Sequence, residues 1–240
     1  MSPLPPAAQR PPVLANERFQ AHAANLIGHD TEAIFTYIYR TNLWGDDGSP
    51  CGVGSDLEST AVLRREIPRL LGRYRVRSLL DLPCGDFGWL SQANLSGIDY
   101  TGADIVPDLV EGNIQRYAGP GRRFVRLNLA SDPLPRADVV LCRDCLVHLR
   151  YEQIFRAFAN LRRSRSTYLL ATTFLELDAN AEIDTGDWRP LNLTLPPFAL
   201  PDPLAVVIED CTEIDGAYAD KALGLWRVAD LPELPRAAAR

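Results

Sequence analysis

Residues 78–90 read Ser-Leu-Leu-Asp-Leu-Pro-Cys-Gly-Asp-Phe-Gly-Trp-Leu. A short apolar run ends in an acid, Asp81, turns through small residues and enters a segment expected to be helical from near Phe87. In an open α/β sheet, ligands bind just outside the carboxyl ends of the strands. A turn at that place must let the main chain approach the ligand, and Gly85 is the residue best suited to it.

The same rhythm continues downstream. Apolar runs at 78–82, 100–104, 124–129, 138–142 and 167–173 predict strands, and helical periodicity separates them at 107–117 and 151–163. Pro107 stands in the first turn of its helix, where its missing N–H costs nothing. Strand–helix–strand alternation at this spacing predicts a mainly parallel sheet with helices on both faces. Two further strands, 205–208 and 222–228, predict an antiparallel hairpin at one edge. Upstream, helical patterns over 17–39 and 57–72 flank a glycine-rich stretch, with Pro68 expected to kink or shorten the second helix.

The resulting organisation is a proline-rich disordered tail over 1–15, a helical flap over 16–76, a core over 77–230 and a tail over 231–240. Within the core, 174–203 has a polar stretch and five prolines between 190 and 203. A connection of that length in a compact domain is expected to be a functional lid or a disordered insert.

The chain has 240 residues, 46% hydrophobic and 23% charged, which suits one globular domain with a full core. Its net charge is −6 and no basic stripe is evident, so a nucleic-acid partner is not expected. No apolar run is long enough to span a membrane, and the N-terminus lacks the apolar core of a secretion signal. Five scattered cysteines suit a reducing cytoplasmic setting rather than a disulfide framework. The Cys142-x-x-Cys145 pair lacks the second ligand pair of a zinc site, and His22, His29 and His148 are not at ligand spacing, so no metal is expected.

The segment 81–87 resembles the first motif of the class I S-adenosylmethionine (SAM)-dependent methyltransferases, acid-x-Gly-x-Gly-x-Gly, and aligns with it without a gap. Pro83 stands for the first glycine and Phe87 for the third; Gly85 is retained. Gly102-Ala103-Asp104-Ile105-Val106-Pro107 is similar to the second motif, with Asp104 19 residues after Gly85. An acceptor-only carboxylate at this place can take both ribose hydroxyls of an adenosyl group. Asn128-Leu129 follows the third strand, where the family often has an acid for the adenine amine. Ala137 to Leu149 is similar to the fourth-strand motif of small-molecule methyltransferases, ending in Leu146-Val147-His148-Leu149. The stretches 38–45, 83–87 and 186–193 further suggest one branch of that family, to which no substrate attaches.

The resemblance implies a Rossmann-like, seven-stranded, mostly parallel sheet with helices on both faces, an antiparallel C-terminal edge hairpin and an N-terminal helical flap. It implies SAM as cofactor, held by Asp81, Pro83, Cys84, Gly85, Phe87, Asp104, Ile105, Asn128, Leu129, Cys142 and Trp44. Arg143 and Asp144 face the methionine half or the acceptor, or form a local ion pair. His148 is the general base by residue type, or else a structural histidine bonded to nearby backbone. Asp187, Trp188 and Arg189 are expected to bind the acceptor or to anchor the lid.

The function so implied is methyl transfer to a hydroxyl or amine of a small molecule, such as a specialised metabolite or sugar. Another SAM-using transferase on the same fold, or a non-catalytic scaffold, stands beside it. NAD is the weaker reading because a GxGxxG fingerprint is absent. The oligomeric state does not follow from the sequence.

Overall fold

A computed structural model describes residues 4–26, 28–45 and 51–233. Seven strands form one sheet in the order β3-β2-β1-β4-β5-β7-β6. They are β1 Ser78–Asp81, β2 Asp99–Asp104, β3 Arg122–Arg126, β4 Val139–Cys142, β5 Tyr168–Phe174, β6 Ala205–Ile208 and β7 Lys221–Arg227. The first five pair in parallel, and β7 enters antiparallel between β5 and β6. The expected edge hairpin is therefore present, with its second strand as the inner one.

Strand side chains alternate between faces, and the apolar residues divide accordingly. Leu79, Val139, Leu141, Leu170, Leu223 and Leu225 belong to one core cluster, with Leu63, Ile67, Leu70 and Leu71. Leu80, Val140, Cys142, Leu169, Ala171 and Trp226 belong to the other, with Ile154, Phe155, Phe158 and Leu161. The first set of helical partners lies on α3 (Ala61–Arg73) and the second on α5 (Tyr151–Ser164). Of the flap expected over 16–76, α3 is thus a sheet-covering helix of the core, and Pro68 lies inside it without ending it. The remainder holds α1 (Leu14–His22) and α2 (Thr31–Arg40), which pack on each other through Phe19, Ile34 and Ile38. Helix α4 (Pro107–Tyr117) follows β2.

Three expectations are corrected. No α-helix starts near Phe87; the β1–β2 crossover is made of turns and a single 3-10 turn, Leu90–Gln92. Phe87 has φ +57° and is buried among Tyr100, Tyr117 and Phe124, and its aromatic packing holds the chain out of helical conformation. Asp86 accepts from the N–H of Gly88 in the same turn.

The second correction concerns residues 4–15, expected to be disordered. Arg10 pairs with Asp220 at 2.7 Å, both side chains 1% exposed, and Tyr218 donates to the carbonyl of Pro11. Two-point charge pairing plus burial of Val13 outweighs the chain entropy of this short segment. Residues 1–3 lie outside the described residues.

The third is the lid over 174–203. Leu177, Leu191, Leu193, Phe198 and Leu200 are buried in the α5-side core, and Phe198 packs on Tyr151, Phe155 and Phe158. Prolines and polar residues alternate with these anchors, so the segment is an irregular wall of the domain. In the C-terminal tail Leu231 is likewise buried; residues 234–240 lie outside the described residues.

Candidate active site

Four strand ends converge on one cleft. Asp81 ends β1, Asp104 ends β2, Asn128 follows β3, and Arg143 and Asp144 follow β4; all line the same cavity. Its unfilled space, open mouth included, is about 1180 Å³. Pro83, Cys84, Gly85, Ile105 and Leu129 also line it, as do Trp44 and His148. Gly85 has φ +54°, a conformation that disfavours a side chain, and a Cβ there would lie 3.1 Å from Cys51 Sγ. The turn is thus closed against side chains at the point where a ligand would approach.

Asp104 accepts from the N–H of Gly85 through one oxygen and of Val106 through the other, both at 3.0 Å. Burial pushes its carboxyl up to about 6, against the pull of these backbone donors. Burial likewise pushes Asp81 up to about 7, although the Tyr100 hydroxyl donates to it at 2.7 Å. Neither carboxylate has an ion-pair partner within 4 Å among the described residues. Each oxygen retains lone pairs, so both are suited to ligand donors.

Arg143, Asp144, Lys221 and Glu209 form a connected ionic cluster. Arg143 reaches Glu209 at 2.7 Å and Asp144 at 3.3 Å. Lys221, the sole lysine, reaches Asp144 at 2.8 Å and Glu209 at 3.6 Å. Burial alone would raise the Asp144 carboxyl, but Arg143 and Lys221 outweigh it and hold it well below the usual range. Burial opposes the charge of Lys221, and Asp144 and Glu209 more than restore it. Arg143 also donates to the carbonyl of Gly54 and lies over the Trp89 ring. The local Arg143–Asp144 pair expected from sequence exists, extended by partners 66 and 78 residues downstream of Arg143.

His148 is 7% exposed, and its Nδ1 lies 2.8 Å from the carbonyl oxygen of Asp187. A carbonyl only accepts, so Nδ1 carries the proton and Nε2 is left with its lone pair. Burial pushes the ring down to about 4, keeping it neutral near pH 7. Trp44 stacks on the imidazole, centroids 3.9 Å apart.

A second cavity of about 880 Å³ adjoins the first, and the two share Trp44, Cys51, Ser55, Asp144 and His148. Its other walls include Val13, Leu14, Phe174, Trp188, Cys211, Glu213, Tyr218 and Lys221. Residues 13–15 of the N-terminal segment therefore form part of its boundary.

Several expected site residues lie elsewhere. Phe87 and Cys142 are fully buried in the two cores and line neither cavity. Asn128 lines the first cavity, but its side-chain oxygen is engaged by the N–H of Ala130. Of the Asp187-Trp188-Arg189 trio, only Trp188 lines either of these two cavities, the second. Asp187 accepts from Asn16 and Gln20 of α1. Arg189 donates to the carbonyls of Leu146, Val147 and Leu149, clamping the backbone on both sides of His148. These two residues act as scaffolding because their polar groups are used within the chain. Sequence reasoning misses Trp89, Cys51, Glu213 and Tyr218; Trp89 closely follows the 81–87 motif, whereas the other three come from distant or irregular segments with no local signature.

No protein-family model matches the chain, and no curated protein sequence matches it. Among the described residues, no helix is long and apolar enough to cross a membrane, and no three His, Cys, Asp or Glu side chains are grouped to hold a metal. Solved structures do match. One is the 1,6-didemethyltoxoflavin-N1-methyltransferase of Burkholderia thailandensis, solved with that compound and S-adenosylhomocysteine. It is 17% identical at a TM-score of 0.56, over 90% of this chain and 92% of that one. Human N-acetylserotonin methyltransferase, solved with SAM, is 16% identical at 0.51 over 88% of this chain. The match spans 66% of the human enzyme's length. The strand order, the inverted β7 and these matches together give the chain the fold of the class I SAM-dependent methyltransferases.

Proposed function

We propose that the chain is a SAM-dependent methyltransferase acting on a small-molecule acceptor through a hydroxyl or amine. The observation that carries this reading is the meeting of two cavities at His148, one of them lined by the strand-end carboxylates. The residues of the first cavity fit an adenosyl sulfonium compound: Asp104 and Asp81 are buried acceptors in need of donors, and Ile105, Leu109 and Leu129 supply apolar surface for a base. SAM, when bound, supplies an electrophilic methyl group that needs no covalent help from the protein. The second cavity takes the acceptor.

The task left to the chain is alignment and proton removal. His148 is held by its Nδ1–H at Asp187 and by the Trp44 ring, so Nε2 is the basic atom. A proton leaving a hydroxyl or amine acceptor passes to it. The ionised carboxylate of Asp144 favours the imidazolium that results. The same stacked Trp44 lines both cavities and so borders the reacting face. The backbone-bonded and basic roles of His148 are compatible, because they use different ring nitrogens.

Calorimetric titration with SAM and with S-adenosylhomocysteine tests the reading. Micromolar binding is expected for the wild-type chain. In Asp104→Ala the loss of charge-assisted hydrogen bonds weakens it about 100-fold. Absence of binding by the wild-type chain overturns the reading.

A further inference from the structure

The second cavity holds a charge imbalance. Two cations, Arg143 and Lys221, are directly paired with two carboxylates, Asp144 and Glu209. A third carboxylate, Glu213, reaches the same place. At Gly54 an added Cβ would lie 3.2 Å from Glu213 Oε1, 3.6 Å from Lys221 Nζ and 3.9 Å from Arg143 Nη2. Yet Glu213 makes no side-chain hydrogen bond and no ion pair within 4 Å among the described residues, and both cations are already committed. The cluster thus has two cations and three carboxyl groups; Asp144, Lys221 and Glu213 all line the second cavity, and Glu213 is the one with no direct partner.

That side chain lines the second cavity and not the first. A cation bound in the first cavity therefore does not account for it. Three aromatic rings share its walls with Asp144 and Lys221: Trp188 and Tyr218 meet edge to face at 5.1 Å, and Phe174 contacts both. A free carboxylate in an aromatic-lined cavity selects a cation, through charge pairing and through the electron-rich ring faces. A neutral or anionic group at the same place would leave the carboxylate desolvated without a partner.

We infer that the acceptor carries a basic nitrogen, protonated when bound, which the second cavity recognises through Glu213 together with Trp188 and Tyr218. The inference rests on the methyltransferase reading, since it assigns the second cavity to the acceptor. This nitrogen anchors the acceptor; the atom to be methylated lies where the cavities meet, at His148.

The test uses three probes of matched size, 2-phenylethylamine, 2-phenylethanol and 3-phenylpropionate, titrated into the full chain saturated with S-adenosylhomocysteine. The amine is expected to bind about tenfold more tightly than the alcohol or the acid. Glu213→Gln, of the same shape at a half-buried position, removes that preference, while Glu213→Asp retains most of it. Both variants keep wild-type affinity for S-adenosylhomocysteine, which reports an intact fold. An amine that fails to bind, binds no better than the alcohol, or keeps its advantage in Glu213→Gln overturns the inference and leaves the cofactor reading standing. If S-adenosylhomocysteine itself does not bind, the cofactor reading fails and this inference falls with it.

Discussion

At the ends of β1 and β2, Asp81 and Asp104 are buried with hydrogen-bond donors but no bonded cation. Beyond the end of β4 and at the start of β7, half-buried Asp144 pairs with buried Arg143 and Lys221, and both cations also pair with Glu209. Both regions remove carboxylates from water. In the first, burial dominates and the carboxyls titrate high; in the second, neighbouring cations dominate and Asp144 titrates low. Removing a charge from water costs several kcal/mol unless a partner replaces the solvent. The Glu209 pairing is compensated scaffold; under the proposed function Asp81, Asp104 and, in the second cavity, Glu213 are the carboxyls left for a ligand to compensate.

The sharpest way to break this contrast is to treat the scaffold like the site. Glu209→Ala leaves Arg143 and Lys221 with only Asp144 between them. It is expected to cost about 3 kcal/mol in stability, read from urea unfolding, with little change in S-adenosylhomocysteine affinity. A large affinity loss at unchanged stability would place Glu209 in the ligand site instead.

Where the regions meet, the proposed base His148 distinguishes an effect on turnover from one on binding. His148→Ala is expected to slow turnover about 100-fold while cofactor affinity stays within about twofold. Turnover equal to wild type would leave His148 only its bond to Asp187.

The smallest effect is in the ligand-free chain. Asp81 and Asp104 bind protons in the folded state at pH values where the unfolded chain has released them, so each lowers stability as pH rises from about 4 toward its folded value. His148 acts with the opposite sign between about 4 and 6.5, because only the unfolded chain is protonated there. The net is a fall of about 1 kcal/mol per pH unit between about pH 4 and 6. Asp81→Asn removes one carboxylate, flattens that slope, and stabilises the ligand-free chain at pH 8 by about 1–2 kcal/mol, measurable by thermal unfolding. Stabilisation by loss of a residue that weakens ligand binding marks a functional rather than a structural carboxylate.

The contrast also explains what was legible in sequence. Strand ends are local features: an apolar run followed by Asp81 or Asp104 can be read directly, and both lie in the cleft where they were expected. The parallel core and its antiparallel addition followed from alternation that the tertiary fold does not overrule. The compensated region was not legible, because its partners are far apart in the chain. Arg143 gives no sign of Glu209, and Arg10 gives none of Asp220, 210 residues on. The proline-rich start and the segment 174–203 have loop-like composition, yet Val13, Leu191 and Phe198 anchor them in or against the core. Phe87 occupies a motif position but spends its side chain on aromatic packing, and Arg189 spends its guanidinium on carbonyls around His148. Residue type suggested ligand contact for both; only long-range packing decides otherwise.

Under the proposed function, Asp81 and Asp104 take donors from an adenosyl ligand. Titrating S-adenosylhomocysteine at about pH 6.5, in two buffers of different ionisation enthalpy, tests it directly, because a ligand that pairs with the ionised carboxyls must expel the protons they hold. Micromolar binding with net proton release, smaller in Asp81→Asn, is expected. Binding with no proton release, or no binding, would contradict it.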